Sequence, residues 1–142
     1  MEDIFGVNLI SQGGVVRTST LHNYRIVLVL ASASWCPTCH QFLPRLIDFY
    51  RAVNSSGKIM EIVFVSRDKK VDEFNNIVRN VPWVAMNFDQ RRAEAVFQRF
   101  GISGIPKLIL LNQNGAPVRM ECREDILANG PGCIEIWRNL LD

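Results

Sequence analysis

The sequence predicts an α/β protein in which a central mixed β-sheet is flanked by helices. Three observations predict it. The runs Ile26-Val27-Leu28-Val29-Leu30 and Ile62-Val63-Phe64-Val65 are apolar without alternation, the pattern of strands buried on both faces of a sheet. Between and after them, apolar residues recur at the helical period of about 3.6 residues. Towards the end, Lys107-Leu108-Ile109-Leu110-Leu111 and Val118-Arg119-Met120 flank Asn112-Gln113-Asn114-Gly115, which predicts an antiparallel hairpin.

In chain order, Val7, Leu9 and Ile10, then Gly13-Gly14, then Val15-Val16 read as an N-terminal β-hairpin extension. The run from Ile26 is the central strand. Leu43, Leu46, Ile47, Tyr50 and Val53 follow helical spacing and predict a long helix that begins after Cys36 and ends before Ser55-Ser56-Gly57. Pro44 lies inside this helix and removes one backbone donor, which predicts a bend. After the Ile62–Val65 strand, Phe74, Ile77, Val78 and Val81 form a short helical face that Pro82 halts. Trp83-Val84-Ala85-Met86 reads as a third strand. Ala93, Val96, Phe97 and Phe100 predict another helix, with Gly101 at the left-handed position that commonly ends one. After the hairpin, Asn129-Gly130-Pro131-Gly132 breaks the chain before a last helix carrying Ile134, Trp137, Leu140 and Leu141. Repeats and low-complexity segments are absent, so residues 1–142 read as a single domain.

Sixteen basic residues against fourteen acidic ones leave a formal charge of +2, and 48% of the residues are hydrophobic. This balance supports a packed core and argues against a disordered tail or a nucleic-acid binder. The longest strictly apolar run, Ile26 to Ala31, is far shorter than the roughly 20 residues of a membrane-spanning helix. Met1-Glu2-Asp3 is acidic where a secretory signal would be basic, so the expected location is cytoplasmic. Four cysteines are too few for a dense disulfide framework, and two of them stand three residues apart.

Those two, in Trp35-Cys36-Pro37-Thr38-Cys39, fall where the central strand ends and the long helix begins. Cys36 would occupy the helix N-cap, where free backbone N–H groups and the positive end of the helix dipole stabilise a thiolate. Pro37 at the first helical position gives up a donor that has no partner there. Cys39, one turn further and more enclosed, is placed to resolve a mixed disulfide on Cys36. The spacing alone also serves zinc sites, and with His40 it spells the attachment pattern of c-type haem. A zinc site would need Cys122 and Cys133, which lack a second tight knuckle and read as partly buried small residues in the last hairpin and before the last helix. His40 reads as a partly exposed helix residue whose imidazole could aid deprotonation of Cys39. The strand-to-helix placement favours the redox reading, with no metal.

Ile105-Pro106 precedes the strand that opens at Lys107. The missing donor is tolerated there, and the general base rate favours a trans bond. A cis bond beside the cysteines would instead let Ile105 offer backbone hydrogen bonds to an extended substrate.

The strand–WCxxC–helix junction, Pro44 beyond Cys39, and Gly104-Ile105-Pro106-Lys107 before a strand and hairpin together resemble the thioredoxin fold along essentially the whole chain. Ser32-Ala33-Ser34-Trp35-Cys36-Pro37, Val63-Phe64-Val65-Ser66-Arg67-Asp68, Val81-Pro82-Trp83-Val84-Ala85 and Phe100-Gly101-Ile102-Ser103-Gly104-Ile105-Pro106 resemble its tryparedoxin and nucleoredoxin branch. That resemblance implies a thiol–disulfide oxidoreductase with Cys36 as nucleophile and Cys39 as resolving thiol. It implies a cis Ile105–Pro106 bond facing them, and Trp35 as an aromatic lid. Trp35, Pro37, Thr38, Ile105 and Pro106 are the expected substrate-facing residues, with Thr38 tuning the exchange rate. Trp83 is expected to pack in and under the sheet, outside the site. The implied partners are disulfide-containing proteins, peroxiredoxin-type peroxidases among them. No bound cofactor is implied, and electrons would come from trypanothione, glutathione or a thioredoxin system. A nucleoredoxin-like, redox-switched binding module is the alternative. Two departures stand out. Leu30 occupies the position of thioredoxin's buried acid, so proton handling falls to water or another group. The dipeptide between the cysteines is Pro-Thr, neither thioredoxin's Gly-Pro nor tryparedoxin's usual Pro-Pro.

Overall fold

The computed structural model describes all 142 residues, Met1–Asp142. Seven strands form one sheet: β1 (Asn8–Ser11), β2 (Gly14–Arg17), β3 (Ile26–Ser32), β4 (Met60–Ser66), β5 (Val84–Met86), β6 (Lys107–Leu111) and β7 (Pro117–Arg119). Their spatial order is β2-β1-β5-β4-β3-β6-β7. The sheet is mixed: β3 runs parallel to β4 and β4 to β5, whereas β6 is antiparallel to β3. The N-terminal hairpin joins one edge through antiparallel pairing of β1 with β5, so it extends the sheet.

Six helices accompany it: α1 (Glu2–Phe5), α2 (Pro37–Val53), α3 (Val71–Val78), α4 (Gln90–Arg99), α5 (Cys122–Asn129) and α6 (Cys133–Leu141). Every residue of β3 and β4 is buried, because successive side chains enter two different cores. Ile26, Leu28 and Leu30 face a cluster containing Phe42, Leu46 and Phe49 of α2, Phe74 of α3, Ile126 of α5 and Trp137 of α6. Val27, Val29 and Ala31 face the opposite cluster, with Ile4 and Phe5 of α1 and Val96 and Phe97 of α4. This two-sided burial explains why the strands carry no polar alternation.

The register places the ends of three elements together. Ser32 pairs with Ser66 at the C-terminal ends of β3 and β4, and Ala31 pairs with Lys107 at the start of β6. The segments 33–36, 67–70 and 101–106 therefore share one end of the sheet.

Several boundaries depart from the sequence expectation. α3 stops at Val78, before Val81 and Pro82; Val81 is fully buried from the segment after the helix rather than from the helix itself. α5 has no counterpart in the sequence pattern, because Cys122-Arg123-Glu124-Asp125-Ile126-Leu127-Ala128-Asn129 carries no clean apolar stripe. Its Glu124 and Asp125 do lie in the first turn, where acidic side chains complement the helix dipole. Cys122 and Cys133 each open a helix and are completely buried, not partly buried near the hairpin. Burial pushes the Cys133 thiol up to about 12 and that of Cys122 upward as well. Gly101 adopts φ +66° just after α4, the left-handed geometry expected of it. α1 and a 3-10 helix at Thr18–Asn23 are too short to show a period.

α5, α6 and β7 are locked by one carboxylate. Asp125 is 6% exposed, accepts Arg119 Nε at 2.9 Å and Nη2 at 2.7 Å, and accepts Trp137 Nε1 at 2.9 Å. The Arg119 hydrogen bonds hold the Asp125 carboxyl below its ordinary value, helped by Trp137 and opposed by burial. Asp125→Ala leaves the buried indole donor unpaired and is expected to destabilise the fold by about 2 kcal/mol, read as a lower urea midpoint with unchanged slope. Because the folded-state value lies below the unfolded one, this stabilisation is complete above the unfolded pKa of about 4 and fades as pH falls through the folded value. Asp125→Asn is expected to flatten stability against pH in that acidic window, measured by urea unfolding from pH 6 downward.

Candidate functional site

Cys36 is the N-cap of α2, with Pro37 at the first helical position. The Cys39 N–H donates to Cys36 Sγ at 3.3 Å, so the sulfur takes up one of the donors a helix start leaves free. Cys36 and Cys39 are 6% and 4% exposed and form a small apolar cluster with Ala33, against which Ile105 packs. Ile105–Pro106 is cis, and the Ile105 carbonyl oxygen lies 3.9 Å from Cys36 Sγ. Trp35 stands 58% exposed beside Cys36, and Pro37 and Thr38 are also exposed. Ile105 is half-buried and Pro106 buried. The expected residues thus come together at one end of the sheet, the two sulfurs tucked in and Trp35, Pro37 and Thr38 outward.

The two sulfurs differ in environment. Burial pushes the Cys39 thiol up to about 11, with the hydrogen bond to Cys36 adding to the rise and one from Ser32 opposing it. A thiol so raised holds its proton at neutral pH.

The loops around the pair are held by polar side chains that the sequence reading did not assign. Ser34 is the hub. Its N–H and hydroxyl both donate to Asp68 Oδ1, at 3.0 and 2.6 Å, and the hydroxyl also lies 3.2 Å from Glu73 Oε2. Asp68, 1% exposed, accepts the Ser66 hydroxyl at 2.8 Å as well, so a buried carboxylate is satisfied by hydrogen bonds. Arg67 Nη2 donates to the Ile102 carbonyl at 3.2 Å while its guanidinium lies 4.1 Å from the Phe97 ring centroid, tying the β4 loop to the segment that carries Ile105. The signal was available in principle. Two parallel buried runs in register place the residues following each run side by side.

His40 is exposed, and its Nε2 meets the Ser34 carbonyl oxygen; its ring clamps the Trp35 loop to α2 rather than turning to Cys39. The haem reading loses the ligand it needed. The zinc reading lacks its second half, since Cys122 and Cys133 sit in the core with α5 and α6, and no three His, Cys, Asp or Glu side chains converge to hold a metal.

Two open clefts border the pair. One, of about 360 Å³, lies against Thr38, Gln41 and Arg45 of α2. The other, of about 310 Å³, follows Gly101 to Lys107 past the cis bond, and Arg123 of α5 lines both. Arg45 and Lys107 add basic groups to these clefts, while Arg123 is paired with Glu124 at 3.3 Å on the border of the second.

Comparison with known proteins fits this geometry. A thioredoxin-like family profile matches residues 23–116. A tryparedoxin of Trypanosoma brucei brucei is 34% identical over 134 residues, 93% of this chain and 92% of that protein. Bovine (Bos taurus) nucleoredoxin is 34% identical over 127 residues, 89% of this chain but 29% of its own length. The chain spans less than a third of the length of the nucleoredoxins it matches. The solved tryparedoxin from Trypanosoma brucei superposes with a TM-score of 0.85 at 32% identity, covering 94% of this chain and 92% of that one. A tryparedoxin II structure, complexed with glutathionylspermidine, does so at 0.80 and 27% identity, covering 89% and 88%. With its CxxC pair capping a helix beside a cis-proline, on a mixed sheet shared with tryparedoxins, the chain belongs to the thioredoxin-like family.

Proposed function

We propose that the chain is a thiol–disulfide oxidoreductase of the tryparedoxin kind, reducing protein disulfides through Cys36 and Cys39. The observation that carries this reading is the asymmetric pair: Cys36 Sγ faces a helix N-terminus and accepts the Cys39 N–H, while Cys39 is enclosed and protonated. The Cys36 thiolate attacks one sulfur of a substrate disulfide, the substrate S–S bond breaks, and the departing sulfur leaves as a thiolate. Cys39 then loses its proton and attacks Cys36 Sγ, releasing the second substrate thiolate and closing the Cys36–Cys39 disulfide. Two electrons from a thiol reductant restore the dithiol.

Trp35, Pro37 and Thr38 form the exposed rim that meets the incoming disulfide, and Ile105 and Pro106 the wall behind Cys36. The carbonyl of Ile105 is set to accept a backbone hydrogen bond from an extended substrate segment. The tryparedoxin structure complexed with glutathionylspermidine supports a low-molecular-weight thiol as reductant, trypanothione or glutathione, with a thioredoxin system as the other source. Disulfide-containing proteins, including peroxiredoxin-type peroxidases, are the proposed acceptors, and the cytoplasm the proposed location. No helix is long and apolar enough to cross a membrane.

Turnover of a protein disulfide, with each reductant supplied in parallel, tests the reading. Cys36→Ser is expected to abolish turnover, and Cys39→Ser to accumulate a mixed disulfide visible as an added mass; undiminished activity in both variants would sink the assignment. Reversible oxidation of the pair without turnover under any reductant would move the chain to the redox-switched binding module of the nucleoredoxins. A second expectation concerns reactivity. Brief treatment of the reduced protein with iodoacetamide near pH 7.5 should add one label, on Cys36, because its sulfur caps a helix N-terminus whereas burial raises the thiols of Cys39, Cys122 and Cys133. Peptide mass mapping checks this, and earlier labelling of Cys39 would reverse the assigned roles.

A further inference from the structure

Trp83 is 1% exposed, packs edge-on against Tyr50 with ring centroids 5.6 Å apart, and joins the core beneath the sheet as the sequence suggested. Packing alone leaves one feature of it unexplained. Its indole Nε1–H is buried without a hydrogen-bond partner, one of only two buried side-chain polar atoms in that condition. An orphaned buried donor costs about 1–3 kcal/mol, so native folds rarely keep one without a use.

The indole lines a narrow cavity directly behind the cysteine pair, together with Cys39, Ser32, Ser34, His40 and Leu30. Its volume, about 20 Å³, accommodates one water. A buried water needs two to four polar partners. Trp83, Ser32 and Cys39 carry that number of polar groups on the lining, alongside Ser34 and His40 and the apolar side chains of Leu30, Leu43, Phe64 and Ile77.

We propose that this cavity holds one ordered water, fixed by the Trp83 Nε1–H beside Cys39 Sγ, and that this water takes the Cys39 proton outward as Cys39 attacks the mixed disulfide. Trp83 is thereby a positioning residue for the resolving step. The inference rests on the redox reading above. As the Cys39 S–H bond breaks, its proton passes to the water and from there to solvent at the mouth formed by Ser34 and exposed His40. The electron pair left on Cys39 forms the bond to Cys36 Sγ, and the Cys36–substrate bond breaks. The substrate sulfur leaves with that bonding pair and takes a proton from solvent. While charge develops on Cys39, the indole donates to the water and the water donates to the sulfur, a chain of two donors aimed at the thiolate. Leu30, on the wall of the same cavity, offers no group for this task.

The ionisable groups around Cys39 are few. Cys36 and His40 lie on its own helix; Asp68 and Glu73, from the β4 loop and α3, stand behind Ser34. Removing the indole donor changes none of them.

The test follows the reduced protein with 5,5′-dithiobis(2-nitrobenzoate) in stopped flow, where attack by Cys36 releases one chromophore and resolution by Cys39 releases the second. In Trp83→Phe the second, concentration-independent phase is expected to slow by about tenfold, the scale of one hydrogen bond to a charged group, and its pH midpoint to rise. The first phase should keep its native rate. Equal slowing of both phases, or a native second phase with a native pH midpoint, would overturn the proposal. A high-resolution crystal structure of the native reduced protein tests it without any substitution: a water within hydrogen-bond distance of Trp83 Nε1 and Cys39 Sγ is expected, and a dry cavity would overturn it. Absence of the first release from the native protein would instead refute the redox reading, and this inference with it.

Discussion

The site depends on the register of β3 with its two neighbours. Pairing Ser32 with Ser66 and Ala31 with Lys107 brings the CxxC helix start, the Ser66–Asp68 turn and the cis Ile105–Pro106 segment to one end of the sheet. A shift of one residue would invert every side chain of β3 between the two cores, exchanging Ile26, Leu28 and Leu30 for Val27, Val29 and Ala31. The large residues on one face and the smaller ones on the other do not fit interchanged packing spaces. The same burial that stabilises the sheet therefore positions the chemistry.

On that frame the two cysteines acquire different characters from a single helical turn. Cys36 stands at the N-cap, where the Cys39 N–H reaches its sulfur. Cys39 points inward among Leu30, Phe64 and Trp83, where desolvation favours the neutral thiol. The proposed exchange would use this difference, with Cys36 attacking first and Cys39 resolving the mixed disulfide. Asp68 accepts the Ser34 N–H and hydroxyl, and Arg67 donates to the Ile102 carbonyl, so the geometry does not rest on loop backbone alone.

Two further buried carboxylates lie elsewhere in the fold. Glu61, 2% exposed in β4, accepts the Tyr50 hydroxyl at 3.1 Å and Lys58 Nζ at 2.5 Å at the end of the sheet away from the cysteines. Burial, with Glu61 adding, pushes the Tyr50 hydroxyl up to about 12. Asp125 gathers Arg119 and Trp137 along the C-terminal helices. These buried carboxylates have their partners in place, whereas the cavity behind the cysteines keeps the unpartnered indole of Trp83.

Local chemistry was legible in the sequence. Unbroken β-branched runs can satisfy their apolar side chains only inside a sheet covered on both faces, and Trp35-Cys36-Pro37-Thr38-Cys39 at a strand-to-helix junction specifies a helix-capping sulfur whatever surrounds it. The long helices follow from helical periodicity and both hairpins from their turn residues, but the pattern fails for α5, where Cys122 and Ile126 are the only buried apolar residues and no stripe is visible. Only the tertiary structure decided the rest, because it depends on contacts between residues far apart in the chain. It turned His40 towards the Ser34 carbonyl, set Arg67 on Ile102 and Phe97, and buried Cys122 and Cys133 in the core with α5 and α6. It also left the Trp83 donor facing no protein partner beside Cys39, since a hydrogen bond is satisfied or orphaned only once all neighbours are packed.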